Sequence, residues 1–347
     1  MRSPWARWPA SSAARCSSTC CSGGATALAD ARSVRARRAL LLLALAAVIA
    51  AACFMTVGAR GGWGFVLSLR GGKLAGLVLV GTAVAVSTVL FQTLTENRIL
   101  TPAVMGFDAL YVAIQTAVVF ALGAQGAAAI DPRLRFAGEA VLLAAAALGL
   151  FRWLFDGRRG FHLVVLAGLV FGILCRGLAN LLQRILDPNE FSVLQSLLFT
   201  RFNVVDTALL PVAAVAILAA GALALRLAPT LDALALGRDT AINLGIDHRR
   251  MVTILILLVA VLVSVSTALV GPVLFFGLLV SNLAYLAIGT ERHIHTLPAA
   301  TLIAIACLAG GQTVLERLLG YDAALSVVIE FAGGIVFILL LLRGTRT

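Results

Sequence analysis

The feature that most limits what this chain can fold into is a succession of continuous apolar runs, each about 20 residues long, separated by short loops that hold most of the charge. Each run is long enough to cross a hydrocarbon core. Inside such a core every backbone N–H and C=O must be paired, which leaves only helices or a closed barrel. The runs are unbroken rather than alternating, so the barrel pattern is excluded. Ten spans are expected, at 39–57, 74–94, 103–122, 137–155, 161–182, 204–226, 250–270, 273–289, 297–316 and 323–342. The expected fold class is an all-α polytopic membrane protein. Composition agrees: 61% of the 347 residues are hydrophobic and 12% charged, more apolar surface than a soluble domain of this length needs.

A net charge of +11 raises the question of nucleic acid. The placement of the charges excludes it, because nearly all Lys and Arg fall in the loops between apolar runs. With the N-terminus in the cytoplasm, seventeen Lys and Arg lie inside and eight outside, which sets both termini and the loop 228–248 on the cytoplasmic side. Without the basic stretch 1–38 the balance narrows to ten against eight. Residues 1–38 read as a disordered basic tail, and 39–347 as the transmembrane domain. Ala50-Ala51-Ala52-Cys53 resembles a lipoprotein cleavage site but lacks its usual Leu and precedes nine more spans, so the first run is expected to stay uncleaved. Cys53, Cys175 and Cys307 read as small core residues. Cys16, Cys20 and Cys21 have no further ligands to complete a metal set.

Between spans six and seven lies a polar island, Ala228 to Asp247. It reads as one or two short helices, with Leu231, Leu234, Leu236, Ile242 and Leu244 set among charges and Gly237 and Gly245 as stops. A docking surface for a soluble partner explains a compact half-apolar element in water. A helix lying on the lipid interface is the alternative.

Val86-Ser87-Thr88-Val89-Leu90 in span two is echoed by Val265-Ser266-Thr267-Ala268-Leu269 in span seven. On the topology above these spans run in opposite directions, the pattern of an inverted repeat with spans two to five mirrored by seven to ten. Spans seven and eight meet through Gly271-Pro272 as a tight hairpin. No nucleotide site is present in the spans: Gly72-Lys73 is followed by Leu74 and has no Gly five positions before Gly72, as a phosphate-cradling loop needs.

Several polar residues sit in or beside the spans. Arg176, Asn180 and Gln183 share a helical face at i, i+4 and i+7, and such a stripe must face protein or water. Asp187-Pro188-Asn189-Glu190 then reads as a helix start with Asp at the N-cap, Pro at N1 and Glu at N3, beginning a short helix that carries Gln195. A translocation path and simple interhelical bonding both account for these residues. Gln92, Gln115, Asn282 and Gln312 read as interhelical glue. Glu139 and Glu330 each want a partner, and Glu330 precedes Gly333-Gly334. His293 and His295 read as solvated loop histidines. Arg70 and Lys73 lie at the outer mouth of span two, with Arg317 after span nine on the same side; interfacial snorkelling accounts for all three.

Phe91-Gln92-Thr93-Leu94-Thr95-Glu96-Asn97-Arg98-Ile99-Leu100-Thr101-Pro102-Ala103-Val104-Met105-Gly106 resembles the segment after span two of the FecCD family, permease subunits of bacterial ATP-binding-cassette importers for iron–siderophore, haem and cobalamin. Leu234-x-Leu236-Gly237 and Leu244-Gly245 are similar to that family's coupling helices, and Val270-Gly271-Pro272-Val273-Leu274-Phe275-Phe276-Gly277-Leu278-Leu279-Val280 to its seventh-to-eighth-span signature. The chain departs from the family at Asn97-Arg98-Ile99-Leu100, where Asn-Pro-Leu-Ala is common, and at Ser281-Asn282-Leu283, where Pro-His-Leu is common. This variant resembles the iron-chelate branch.

The resemblance implies a non-enzymatic permease in the bacterial inner membrane that moves ferric siderophore from periplasm to cytoplasm. No cofactor is expected on the chain itself, with ATP and Mg held by a separate cytoplasmic ATPase subunit. It implies a second permease subunit, alike or different, and a periplasmic or lipid-anchored binding protein. Leu234, Leu236, Gly237, Ala241, Leu244 and Gly245 would meet the ATPase, and Arg70, Lys73 and Arg317 the binding protein. Arg176, Asn180, Gln183, Gln195 and Glu330 would line the path. The rival readings are the same importer carrying haem or cobalamin, and an ion-coupled secondary transporter, for which only Glu139 and Glu330 offer paired carboxylates.

Overall fold

The computed structural model describes residues 18–57, 63–154, 161–198 and 208–318, with a few scattered positions beyond. Among these residues the secondary structure is helical throughout: α1 (Ser18–Thr56), α2 (Trp63–Leu94), a single 3-10 turn at Ala103–Met105, α3 (Phe107–Ala129), α4 (Pro132–Leu154), α5 (Phe161–Ile185), α6 (Pro188–Leu198), α7 (Leu210–Arg226), α8 (Ala228–Leu234), α9 (Arg238–Asn243), α10 (His248–Val270), α11 (Phe276–Ile288) and α12 (His293–Leu318). Helices α1, α2, α3, α4, α5, α7, α10, α11 and α12 fall on the first nine expected spans, and the tenth lies largely outside the described residues.

Six of the helices are long and apolar enough to cross a membrane, and a seventh joins them if α7 and α8, bent 62° apart, form one span. Apart from α7 and the tenth expected span, two of the expected spans fall outside this set among the described residues. Helix α4 carries Arg133, Arg135, Glu139 and Arg152, and α11 has only 13 residues because Gly271 to Phe275 stays outside it. A further correction concerns the N-terminal region. Helix α1 begins at Ser18, inside the stretch 1–38 expected to be a disordered tail, and residues 25–38 of it are rich in the helix formers Ala and Arg.

The bundle is organised on α2, which packs against α10 and α12, while α12 also carries α1, and α10 carries α4 and α7. Helices α2 and α10 are apolar all round and largely buried, the condition of a core helix rather than a surface one. At the periphery α5 exposes Leu166, Val170, Ile173, Leu174, Leu181 and Ile185, and α1 exposes Leu41, Leu42 and Val48. Exposed apolar faces of this extent are of the kind that lipid or another protein covers. Ser87 and Thr88 from α2 and Ser266 and Thr267 from α10, the residues of the echoed pentapeptides, line one small, partly open cavity of ≈ 30 Å³.

Candidate functional site

The loop 228–248 forms two short helices, as its sequence suggests. Pro229 sits in the first turn of α8. At the other end the Gly237 N–H bonds the Leu234 carbonyl at 3.0 Å. Gly237 then adopts φ 96°, ψ 160°, a conformation open essentially to glycine alone, and turns the chain into α9. Helix α9 closes with the Gly245 N–H on the Ile242 carbonyl at 2.9 Å. Asp247 then caps α10, its side chain accepting from the Arg250 N–H at 3.1 Å.

The apolar residues of this element divide into two sets. Leu231 and Ala241 are 0% exposed and Leu234 6%, packed into the bundle core. Leu236 is 64% exposed, Ile242 47% and Leu244 61%. The element is thus anchored by one apolar face and presents another outward. Of the residues the sequence singled out, Leu234 and Ala241 serve as anchors, Leu236 and Leu244 face out, and the two glycines shape the turns. Ile242 joins the outward set.

Beneath the element lies a polar cluster that sequence reasoning missed. His293, expected to be solvated, is instead 3% exposed at the start of α12. Its Nδ1–H and its backbone N–H both donate to Asp232 Oδ1 of α8, each at 2.7 Å. Its Nε2 lies 2.7 Å from Thr93 Oγ1 near the end of α2. Next to it Gln92 Nε2 donates to the Arg98 carbonyl at 2.6 Å and to Ser281 Oγ of α11 at 3.0 Å, the interhelical bonding expected of it. Arg98 pairs with Glu291 and lies 4.7 Å over the Tyr285 ring. No local pattern marks His293 for burial: Asp232 is 61 residues away in sequence and Thr93 200.

The opposite end of α2 holds the basic residues. Arg70 Nη1 donates to the carbonyls of Phe54 at 2.9 Å and Val57 at 3.0 Å, and Arg317 Nη2 to that of Val57 at 2.5 Å. Two arginines from different helices therefore cap the C-terminus of α1, where unpaired carbonyls and the negative end of the helix dipole favour cations. Lys73 is partly buried one turn further along α2. From Arg70 to Thr93 the helix rises about 35 Å, close to the thickness of a hydrocarbon core, so these basic residues and the α8–α9 element stand at opposite ends of the bundle.

The stripe on α5 is split. Arg176 and Asn180 are exposed, while Gln183 Nε2 donates to Thr116 Oγ1 of α3 at 3.1 Å. Helix α6 follows as expected, with Asp187 Oδ1 accepting from the Asn189 N–H at 3.0 Å, and Gln195 is partly buried on it. Glu139 finds a partner in Arg135, 2.8 Å away, and Arg135 also donates to Gln115 Oε1 at 2.6 Å. Glu330 lies outside the described residues.

The profile of the FecCD transport family matches residues 40–343. The petrobactin import system permease protein YclO of Bacillus subtilis is 42% identical over 83% of this chain and 91% of its own length. The petrobactin import system permease protein FatC of Bacillus anthracis is 33% identical over 78% and 77%. A solved metal-chelate type ABC transporter in an inward-facing conformation superposes with TM-score 0.78 at 21% identity, over 89% of this chain and 99% of that one. With a family match across nearly the whole of its apolar length and a helical fold shared with a solved transporter, the chain belongs to the FecCD transport family.

Proposed function

We propose that this chain is the permease subunit of an ATP-binding-cassette importer that carries ferric siderophore across the bacterial inner membrane. The observation that carries the reading is the α8–α9 element, anchored by Leu231, Leu234 and Ala241 and presenting Leu236, Ile242 and Leu244 outward. Exposed leucines on a compact element outside the spans fit the groove of a soluble ATPase, which supplies ATP and Mg. The siderophore assignment is supported by the two petrobactin permeases among its relatives.

In this reading both termini and the α8–α9 element are cytoplasmic and ten spans cross the membrane as an inverted repeat. The shared cavity of Ser87, Thr88, Ser266 and Thr267 supports that repeat, since equivalent segments related by an in-plane axis meet near it. A second permease subunit completes the path, with Arg176, Asn180, Gln183, Gln195 and Glu330 on its wall. A binding protein docks at Arg70, Lys73 and Arg317. The Arg135 partner of Glu139 counts against an ion-coupled secondary transporter, because it occupies one of the two carboxylates such a mechanism needs.

The test is purification with the ATPase and permease partners after mild detergent extraction, then reconstitution into vesicles with a binding protein. ATP-dependent entry of a ferric catecholate, with no entry of haem or cobalamin, is the expected result. Uptake driven by an ion gradient without ATP would overturn the reading.

A further inference from the structure

The geometry points to Asp232, His293 and Thr93 as a rigid strut that conveys movement of the α8–α9 element to α12 and α2; the proposal rests on the importer reading above. Asp232 belongs to α8, yet its carboxylate accepts both the ring Nδ1–H and the backbone N–H of His293, each at 2.7 Å. One helix thereby caps the N-terminus of another, where a carboxylate is favoured by the helix dipole. On the far side of the ring, Nε2 lies 2.7 Å from Thr93 Oγ1, a hydroxyl also within 2.9 Å of the Val89 carbonyl, so one hydrogen bond joins the ring to α2. Through its two nitrogens the ring, carried by α12, links α8 to α2.

Packing alone does not call for this arrangement. Leu231 and Leu234 already seat α8 in the apolar core, and a leucine in place of His293 would fill the space without the cost of burying a polar ring. Apolar contacts are non-directional and allow sliding. Hydrogen bonds to a carboxylate are directional and about twice as strong as neutral ones, so they hold a fixed distance and angle while the outward leucines are pushed. His293 is thus a positioning residue: it meets neither cargo nor ATP, and acts by tying the docking element to the spans.

The test compares wild type with His293→Leu, which removes both ring bonds at similar bulk and leaves only the backbone N–H on Asp232, and Thr93→Val, an isostere that removes only the α2 link. Each is purified with its ATPase and reconstituted with the binding protein and a ferric catecholate. Chelate moved per ATP hydrolysed is expected to fall about tenfold in His293→Leu and about threefold in Thr93→Val, the loss of one or two ordinary hydrogen bonds' worth of bias, with the ATPase still associated. A cargo-independent readout accompanies it: hydrogen exchange near Thr93 and His293 should change when the wild-type ATPase is trapped with ATP and vanadate, and that change should vanish in His293→Leu. Wild-type stoichiometry and an unaltered exchange response in both variants would overturn the strut. So would loss of insertion or ATPase association in both, which would make the residues structural only. A wild type that shows the exchange response but moves no chelate would overturn the importer reading and leave the strut standing.

Discussion

Truncation of Leu236 to Ala separates docking from folding. The side chain is 64% exposed, so the fold gains little from it, and a partner that covers it gains the burial. Complete burial of a leucine is worth about 1.5–3 kcal/mol; the exposed two-thirds then amounts to about 1–2 kcal/mol, or roughly 5- to 30-fold in affinity. Leu236→Asp adds the desolvation of a carboxylate and weakens the contact further. The control is Leu231→Ala, whose side chain is 0% exposed; it removes core packing and should cost about 2–5 kcal/mol of stability. The assay is the Kd of the purified ATPase subunit for the permease in nanodiscs, together with the thermal midpoint of each variant. Leu236→Ala should raise Kd with an unchanged midpoint, and Leu231→Ala should lower the midpoint. A Kd within twofold of wild type for Leu236, Ile242 and Leu244 alike would refute the assignment of this face to the ATPase.

Three further outcomes are expected. A Cβ on Gly277 would stand 2.2 Å from Thr88 Oγ1 and 3.2 Å from its Cβ, so Gly277→Ala should destabilise the fold by about 1–3 kcal/mol, and Thr88→Ala should restore part of the thermal midpoint in the double variant. Lys73→Glu should weaken binding-protein association most at low ionic strength without altering stability, whereas Arg70→Glu and Arg317→Glu should also lower the thermal midpoint by uncapping α1; a salt-independent affinity in Lys73→Glu would remove the docking role. In a background without native cysteines, Cys at 180 should label with a water-soluble thiol reagent faster than Cys at 183, and docked binding protein should block it; silence at 180, 183 and 195 would move the path to another span.

The helices at the first nine expected positions were legible because continuous apolar runs and short basic loops follow from the demands of lipid on the backbone. The α8–α9 element was legible as well, since Pro229, Gly237 and Gly245 mark its ends chemically. What the sequence hid depends on contacts between distant residues. Nothing near His293 announces that Asp232 and Thr93 will enclose it, whereas the Arg135–Glu139 pair is local and its i, i+4 spacing was available to read. The basic residues at the other end were found as a group, but their bonds to the carbonyls of Phe54 and Val57 come from the way α1 lies along α12. The length of α11 was misjudged for a related reason. Hydropathy counts Val273 to Phe275 as part of a span, while Gly271 and Pro272 keep that stretch from joining the helix.

That short helix bears on the order in which the chain is assembled. Thirteen residues of α11 rise about 20 Å, some two-thirds of a hydrocarbon core of about 30 Å. With α11 as the proposed eighth span, the remaining depth falls to residues 271–275, whose backbone lies outside any helix and so cannot be left facing acyl chains. In the finished protein Gly277 rests on Thr88 and Val84 of α2, and Val273 lines the cavity that α2 shares with α10. As the ribosome delivers the chain, α2 emerges well before α11, so the surface that shelters this stretch exists by the time it is needed. A chain permuted to synthesise α11 ahead of α2 would have to hold the same segment at the membrane without its shelter, and quality-control proteolysis would be its main competitor.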